Sequence, residues 1–225
     1  MKSLATALAL IALLPTQPSN AQTAIISTDR GWYREDGFTI AFNTNYEAGI
    51  QTASDPTPRL RSFFVFDLST FSTGTIAGLT LQAFTSGYVS PDPTETFTLF
   101  DYSGSISDLT AGVNSVSDYN DLGSGTVFGT ATVSAANNNT SVTITLNSSA
   151  ITAANQAAGG LFAIGGDLTT ATGSSDQRIF LDSQTYPSNA VQLSVTIVPE
   201  PSATLLGALG VLGILLRRKR KAPMA

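Results

Sequence analysis

The chain contains neither cysteine nor histidine. The absence of cysteine excludes disulfides, thiol nucleophiles and thiolate ligands for a metal. The absence of histidine excludes a Ser-His-Asp triad and a zinc site of the usual kind. Any acid–base or metal chemistry must therefore depend on carboxylates, which suit calcium binding or glycoside hydrolysis.

Positive charge is scarce over most of the chain. Residues 22–197 include five arginines, no lysine and fifteen acidic residues, which gives this part a net charge of −10. An acidic surface repels the phosphates of nucleic acid, so the composition argues against nucleic-acid binding. Serine, threonine, asparagine and glutamine must supply the solubility, and such a surface is compatible with a polysaccharide environment.

The N-terminus has the pattern of a secretory signal peptide. Lys2 provides a short basic region, residues 4–14 are apolar, and Ser19-Asn20-Ala21 is a small-x-small cleavage site. We predict a signal peptide at residues 1–21, with cleavage between Ala21 and Gln22. Residues 22–197 are then long enough for one domain that is stable without disulfides.

The C-terminus combines a proline-rich box, an apolar run and a basic cluster. The apolar run, residues 203–216, would form a helix of roughly 21 Å, shorter than the ~30 Å hydrocarbon core of a bilayer. We therefore predict a short transmembrane helix whose basic end stays on the cytoplasmic side. The box consists of Val198, Pro199, Glu200 and Pro201, and the basic cluster of Arg217, Arg218, Lys219, Arg220 and Lys221.

Together these three parts resemble the PEP-CTERM protein-sorting signal, which has also been labelled the ice-binding protein C-terminal domain. The resemblance covers residues 198–225. It implies that an exosortase-type enzyme cuts near the Pro-Glu-Pro box, and that the product reaches the cell surface or an exopolysaccharide matrix after passing through the membrane. An ordinary C-terminal anchor is the alternative, but it does not need this box and usually has about twenty apolar residues.

The part between the two signals has the pattern of an all-β protein. Short runs rich in Val, Ile, Thr and Phe alternate with turn-forming residues, without a βαβ rhythm. We predict an antiparallel two-sheet β-sandwich of jelly-roll type with one short helix near residues 148–158; a single-sheet barrel or a β-solenoid is the alternative. The predicted strands are residues 24–28, 38–43, 60–68, 76–86, 94–102, 126–133, 141–146, 161–164, 178–182 and 190–197.

The most hydrophobic of these strands carries a second resemblance. The run Arg59-Leu60-Arg61-Ser62-Phe63-Phe64-Val65-Phe66-Asp67-Leu68-Ser69, followed by Leu79-Thr80-Leu81, is similar to the start of DNRLRE-type β-sandwich modules. Some of those modules bind carbohydrate. The sequence departs from the pattern at Gly78, where alanine is usual, and the name-giving Asp-Asn pair is not obvious before Arg59. Because apolar residues occupy both parities of 60–68, we expect this strand to be buried on both faces.

Trp32 and Tyr33 are the candidate carbohydrate-binding residues. An exposed aromatic ring can pack on the face of a pyranose while neighbouring polar groups bond its hydroxyls. Both residues lie in a charged neighbourhood made of Arg30, Arg34, Glu35 and Asp36. The alternative is that Trp32 only packs at the edge of the sandwich.

Two further hypotheses rest on acidic residues. Residues 103–125 are predicted to form a long loop with a helical turn. Asp118, Asn120 and Asp121 could offer hard oxygens to calcium from this loop, although a plain polar turn is the alternative. The glutamates at 35, 47 and 95 would have to bring two carboxylates about 5–9.5 Å apart to act as a glycosidase. That is a remote alternative to solvated loop acids, and no cofactor is implied.

The sequence thus predicts an exported protein with a structural or adhesive role among exopolysaccharides. Its expected partners are an exosortase-type processing enzyme, transiently the membrane, and polysaccharide. A carbohydrate-binding module is the alternative function. We expect no enzymatic activity.

Overall fold

The alternating sequence produces twelve β-strands within residues 21–52 and 58–198, which are the residues described by the structure, a computed structural model. The strands are β1 (Ala21–Ile26), β2 (Asp29–Arg34), β3 (Ala48–Ile50), β4 (Arg59–Asp67), β5 (Ile76–Thr85), β6 (Tyr88–Val89), β7 (Glu95–Asp101), β8 (Val127–Val133), β9 (Thr140–Thr145), β10 (Leu161–Leu168), β11 (Gln177–Ile179) and β12 (Val191–Ile197). Three short helices accompany them: α1 (Ile106–Ala111), α2 (Val116–Asp121) and α3 (Ser148–Ala157).

The strands form two antiparallel sheets. The smaller sheet has the order β1-β12-β5-β9, and the larger has the order β6-β11-β3-β4-β10-β7-β8, with β2 also paired to β4. The predicted all-β, two-sheet sandwich is therefore confirmed. A jelly roll has eight strands in two Greek keys. The described strands divide into four and eight, and the jelly-roll prediction is not confirmed.

Strand β4 is buried on both faces, as its sequence predicts. Phe64 and Phe66 belong to the main core, which also contains apolar residues of the smaller sheet such as Leu81 and Leu193. Phe63 and Val65 point the other way and belong to a second cluster. Successive side chains of a strand face opposite sides, so β4 supplies both clusters from one continuous apolar run.

The second cluster exists because helices α1 and α2 cover the outer face of the larger sheet. Leu109 of α1 and Tyr119 of α2 are both buried there. Ser105 and Ser115 cap the two helices by accepting a hydrogen bond from the N–H three residues on. One helix is predicted, and α3 matches it; α1 and α2 lie in residues 103–125, for which the sequence predicts a long loop with a helical turn.

Near the N-terminus, one predicted strand is absent from the structure and one observed strand is not predicted. Residues 38–43 do not form a strand, because the N–H of Thr39 bonds the side chain of Asn114 instead of a neighbouring strand. Strand β2 was not predicted, since its charged residues obscure the pattern. Arg30 is nevertheless buried within it, and its guanidinium donates to three backbone carbonyls of residues 186–188.

The two ends of this β domain lie on neighbouring strands. Ala21 of β1 is paired with Ile197 of β12, and the N–H of Val198 donates to the carbonyl of Thr75 over 2.9 Å. Residues 21–198 form a compact unit with its own core, so we expect this unit to fold by itself.

The predicted signal peptide and C-terminal helix lie outside the described residues. Among residues 21–52 and 58–198, none of the helices is both long and apolar enough to cross a membrane. The boundaries predicted for the three parts, 1–21, 22–197 and 198–225, stay predictions.

Candidate binding surface

Trp32 forms part of an exposed aromatic surface, together with Phe38. Its ring is partly buried and lies 6.2 Å, centroid to centroid, from the ring of Phe38. Phe38 is itself 37 % exposed, and the guanidinium of Arg34 lies 4.7 Å from its ring centre. Rings flanked by charged groups in this way can pack on a sugar and bond its hydroxyls.

The segment that follows β2 is held firmly while its apolar side chains remain exposed. The hydroxyl of Thr39 donates to the carbonyl of Trp32 over 2.8 Å, and its N–H donates to Asn114 over 3.1 Å. Gly37 has a φ of 82°, which favours glycine, and its carbonyl accepts from the N–H of Ser115. Buried Thr39 thereby fixes the backbone between exposed Phe38 and exposed Ile40.

Phe42 is the most exposed large apolar side chain of the described residues, at 90 %. Its φ is 61°, in the left-handed region that bulky residues rarely adopt, within a turn closed by a bond from the N–H of Asn43 to the carbonyl of Ile40. Such a conformation destabilises the fold by on the order of 1–3 kcal/mol. An unfavourable backbone that presents an aromatic ring to solvent points to a use for that ring. We use the name aromatic surface for Trp32 and Phe38, whose rings are neighbours, together with exposed Phe42 four residues further along the chain.

Tyr33 does not belong to this surface. It is fully buried, and its hydroxyl donates to the carbonyls of Leu109 and Val113. Burial raises its pKa to about 12. Neighbouring residues of a strand point to opposite sides, so Tyr33 faces the second cluster while Trp32 faces away from it. Its ring therefore offers no face to a sugar.

Arg34 and Asp36 form an ion pair next to the aromatic surface. Arg34 donates to both carboxylate oxygens of Asp36, over 2.8 and 2.6 Å. Those hydrogen bonds, together with the one from the N–H of Phe38, lower the pKa of Asp36 to about 2. The pair therefore stays ionised at any physiological pH and keeps Arg34 beside the Phe38 ring.

The other arginines of the domain are bound to internal partners. Arg59 and Arg61 both bond the carboxylate of buried Asp167, and Arg61 also stacks on the ring of Tyr119 at 4.3 Å. Arg178 bonds Glu47 and Asp176. Because these cations are neutralised by their own neighbours, the remaining acidic residues determine the charge of the surface.

A separate groove runs beside helix α3. Two adjoining cavities, of about 360 and about 310 Å³, share Asp101, Phe128, Ala153 and Gln156 in their linings. Oδ1 of Asp101 accepts the N–H of Thr126 over 2.6 Å. The lining combines the carboxylate of Asp101 and the amide of Gln156 with apolar side chains such as Phe128, and ligand sites commonly combine apolar walls with a few polar groups.

The calcium candidates are not arranged as a flexible loop. Asp118, Asn120 and Asp121 lie on helix α2, not in the predicted loop. Asp118 accepts a hydrogen bond from the hydroxyl of Tyr102, and Asp121 accepts the N–H groups of residues 103 and 104. Within residues 21–52 and 58–198, there is no group of three or more acidic side chains placed to hold a metal ion.

The three glutamates occupy three different environments. Glu47 is buried and bonded to Arg178 and the N–H of Asp182, whereas Glu95 is buried and bonded to the hydroxyls of Ser90 and Thr170. Glu35 is exposed at the end of β2 and lines a cleft with Arg59. Glu47 and Glu95 are thus engaged in internal hydrogen bonds, whereas Glu35 is open to solvent.

The sequence predicts Trp32 as a binding residue, but it does not predict Phe38 and Phe42. Both phenylalanines fall in the segment predicted as a strand, where alternation placed them on a core-facing side. The contact that turns them outward, between Thr39 and Asn114, joins residues 75 positions apart. No local pattern in the sequence indicates that contact.

Comparison with known families identifies the C-terminal segment. Residues 198–221 match the model of the PEP-CTERM protein-sorting motif. A search of curated proteins found no match to the chain, and the resemblance of residues 59–81 to DNRLRE-type modules stays a prediction. The match begins at Val198, directly after β12 ends. The chain therefore carries a PEP-CTERM sorting motif, which indicates a protein that is exported and sorted by exosortase, through the membrane, toward the cell surface.

Proposed function

We propose that the β-sandwich has a structural or adhesive role among exopolysaccharides, and that it contacts them through the aromatic surface. The observation that carries the proposal is Phe42, an aromatic residue that is 90 % exposed in an unfavourable backbone conformation. The sorting motif supports the location, because it directs the protein toward the surface where such polymers accumulate.

The electrostatics of the domain suggest which polymers it meets. Residues 22–197 carry a net charge of −10, with the arginines engaged by internal partners. The acidic domain repels acidic polymers, and at 0.1 M salt this repulsion reaches over about 10 Å. Neutral polysaccharides are therefore the preferred partners, and stacking on rings is the interaction that a neutral sugar offers.

Loss of the Phe42 ring should reduce polysaccharide binding without reducing the stability of the domain. In Phe42→Gly, we expect retention on immobilised neutral polysaccharide to fall at least about tenfold, which corresponds to about 1.4 kcal/mol. Stability should stay equal or increase, because glycine adopts a positive φ without strain. Affinity electrophoresis of the folded domain in gels containing the polysaccharide, with urea unfolding in parallel, measures both quantities.

Two matched variants complete this experiment. Phe42→Tyr keeps a ring and should retain binding, and Val127→Ala removes an apolar side chain that is 42 % exposed on β8 and should change nothing. Retention that is unaffected by Phe42→Gly and by Trp32→Ala would contradict an adhesive role of this surface.

A carbohydrate-binding module is the second candidate function, and the groove beside α3 favours it. A groove that surrounds a single glycan chain would recognise a defined oligosaccharide, whereas exposed rings would bind polymers with little selectivity. Gln156→Ala distinguishes the two sites in the same assay, with exposed Gln82→Ala on β5 as its control. Binding that is lost only in Gln156→Ala would assign recognition to the groove.

A further inference from the structure

Strand β1 is an edge strand with little protection. Among the residues that the structure describes, it pairs with β12 alone. Five of its six residues are exposed, and Ile26 is 47 % exposed. Its sequence, Ala-Gln-Thr-Ala-Ile-Ile, contains no charge, no proline and no glycine, although such residues commonly protect the edge of a sheet.

The hydrogen-bonding direction of β1 follows from its ladder. The N–H of Ser27 donates to the carbonyl of Val191 over 3.1 Å, so Ser27 faces β12. Along an antiparallel strand, the N–H and C=O groups of successive residues point alternately toward one neighbouring strand and toward the opposite side. The N–H and C=O groups of Gln22, Ala24 and Ile26 therefore point away from β12. At Thr28, the next residue of this parity, the outward N–H donates to Val65 of β4, where the chain passes to the larger sheet.

The edges of the larger sheet are shorter or covered, and β9, the second edge of the smaller sheet, lies beside β8 of the larger sheet. Strand β6, at one edge of the larger sheet, has only two residues. Beside β8, at the other edge, Asn147 donates its N–H to the carbonyl of Phe128 and its side-chain amide to that of Val127. The uncharged edge of β1 thus differs from these edges in offering a row of outward backbone groups.

Charge favours this edge as the place where two copies can meet. The domain carries a net charge of −10, and two such surfaces repel one another. Along β1 there is no charged side chain, the nearest downstream being Asp29 at the start of β2. An antiparallel strand edge is also self-complementary about a two-fold axis, as a symmetric dimer requires.

We infer that β1 pairs edge to edge with β1 of a second copy of this chain. The pairing is antiparallel and centred on Ala24, so that Gln22 lies opposite Ile26 of the other copy, and roughly six backbone hydrogen bonds form. The two smaller sheets then continue into one. The contact is small, and it therefore becomes populated only at the high local concentration of a surface layer. It does not depend on polysaccharide binding.

Sedimentation velocity of the protein from Gln22 to Val198, at concentrations up to about 1 mM, tests this pairing. We expect concentration-dependent dimers. Ala24→Pro removes an outward N–H that β12 does not use, a position where edge strands tolerate proline, and should weaken dimerisation at least about tenfold. Ala24→Ser keeps the N–H and should dimerise like the unchanged protein.

A charge-swap experiment identifies the register. Ala24→Lys and Ala24→Glu each place like charges opposite one another at the two-fold axis, so each variant alone should remain monomeric. An equimolar mixture of the two should dimerise again, which neither a folding defect nor a contact elsewhere would produce. A monomer at every concentration, or dimers that all Ala24 variants leave unchanged, would overturn the inference.

Discussion

Asp167→Asn is expected to lower the free energy of unfolding by about 3–5 kcal/mol, because it leaves two guanidinium groups without their shared anion. The carboxylate of Asp167 is nearly fully buried. It accepts from Nη2 of Arg59 over 2.9 Å and from Nε of Arg61 over 3.1 Å. The remaining donors of the two arginines reach backbone carbonyls of Leu168, Ala171 and Tyr119, so neither side chain can leave without breaking further bonds.

The cluster joins parts of the domain that are distant in sequence. Arg59 and Arg61 lie on β4, Asp167 on β10, and the carbonyl of Tyr119 on helix α2. Loss of the carboxylate should therefore loosen α2 from the sheet as well as reduce global stability. Hydrogen exchange of α2 amides should rise more than that of β5 amides.

Urea unfolding followed by circular dichroism measures the expected change. Asp36→Asn is the matched control: its carboxylate is 54 % exposed and paired with Arg34, and such pairs contribute at most about 1 kcal/mol. Equal, small losses in the two variants would show that the Asp167 cluster does not stabilise the fold.

A second large effect is expected at alkaline pH. Burial raises the pKa of Tyr33 to about 12 and raises those of Tyr46, Tyr102 and Tyr119 above the ordinary tyrosine value. The unfolded chain ionises near pH 10, below the folded protein. The stability from these groups is therefore complete below pH 10 and is lost at higher pH, for Tyr33 as the pH rises through about 12.

The pH profile should consequently be flat near neutrality and fall steeply above pH 10. The chain has no histidine or cysteine side chain to titrate between about pH 6 and 9. Tyrosinate absorbance and circular dichroism should change together at the alkaline transition. Ionisation of more than two of the six tyrosines near pH 10, while the circular dichroism stays native, would contradict the burial of these four hydroxyls.

Tyr33→Phe provides the matched variant for this profile. It removes the hydroxyl that donates to the carbonyls of Leu109 and Val113, so at pH 7 it should destabilise the domain by about 1 kcal/mol. It also removes one ionisation that opposes the folded state. The difference between variant and unchanged protein should therefore shrink as the pH rises from 10 to 12.

The fold could be predicted where the pattern of the sequence is local. Strand β4 shows its burial on both faces because apolar residues occupy both parities, and α3 begins at a polar cap and ends before two glycines. Strand β2 could not be predicted in this way. The carbonyls that hold its buried Arg30 lie more than 150 residues away in the chain.

The candidate site can be predicted only in part, because its geometry also depends on contacts between residues distant in the chain. Trp32 and Tyr33 are adjacent, and adjacent residues of a strand cannot face the same side. Had β2 been recognised as a strand, this rule would have separated them. The exposure of Phe42 depends on a turn that is fixed by long-range contacts of Thr39 and Gly37. Only the folded structure supplies those contacts.

The C-terminal sorting motif marks this β-sandwich as a cargo for delivery toward the cell surface. Intact-mass spectrometry of the protein recovered from the envelope and the surrounding medium tests this delivery most directly. We expect a chain that begins at Gln22 and ends near Pro199, Glu200 or Pro201, without the apolar run and the basic cluster. Mature protein that always retains residues 203–221 would contradict processing at the sorting motif.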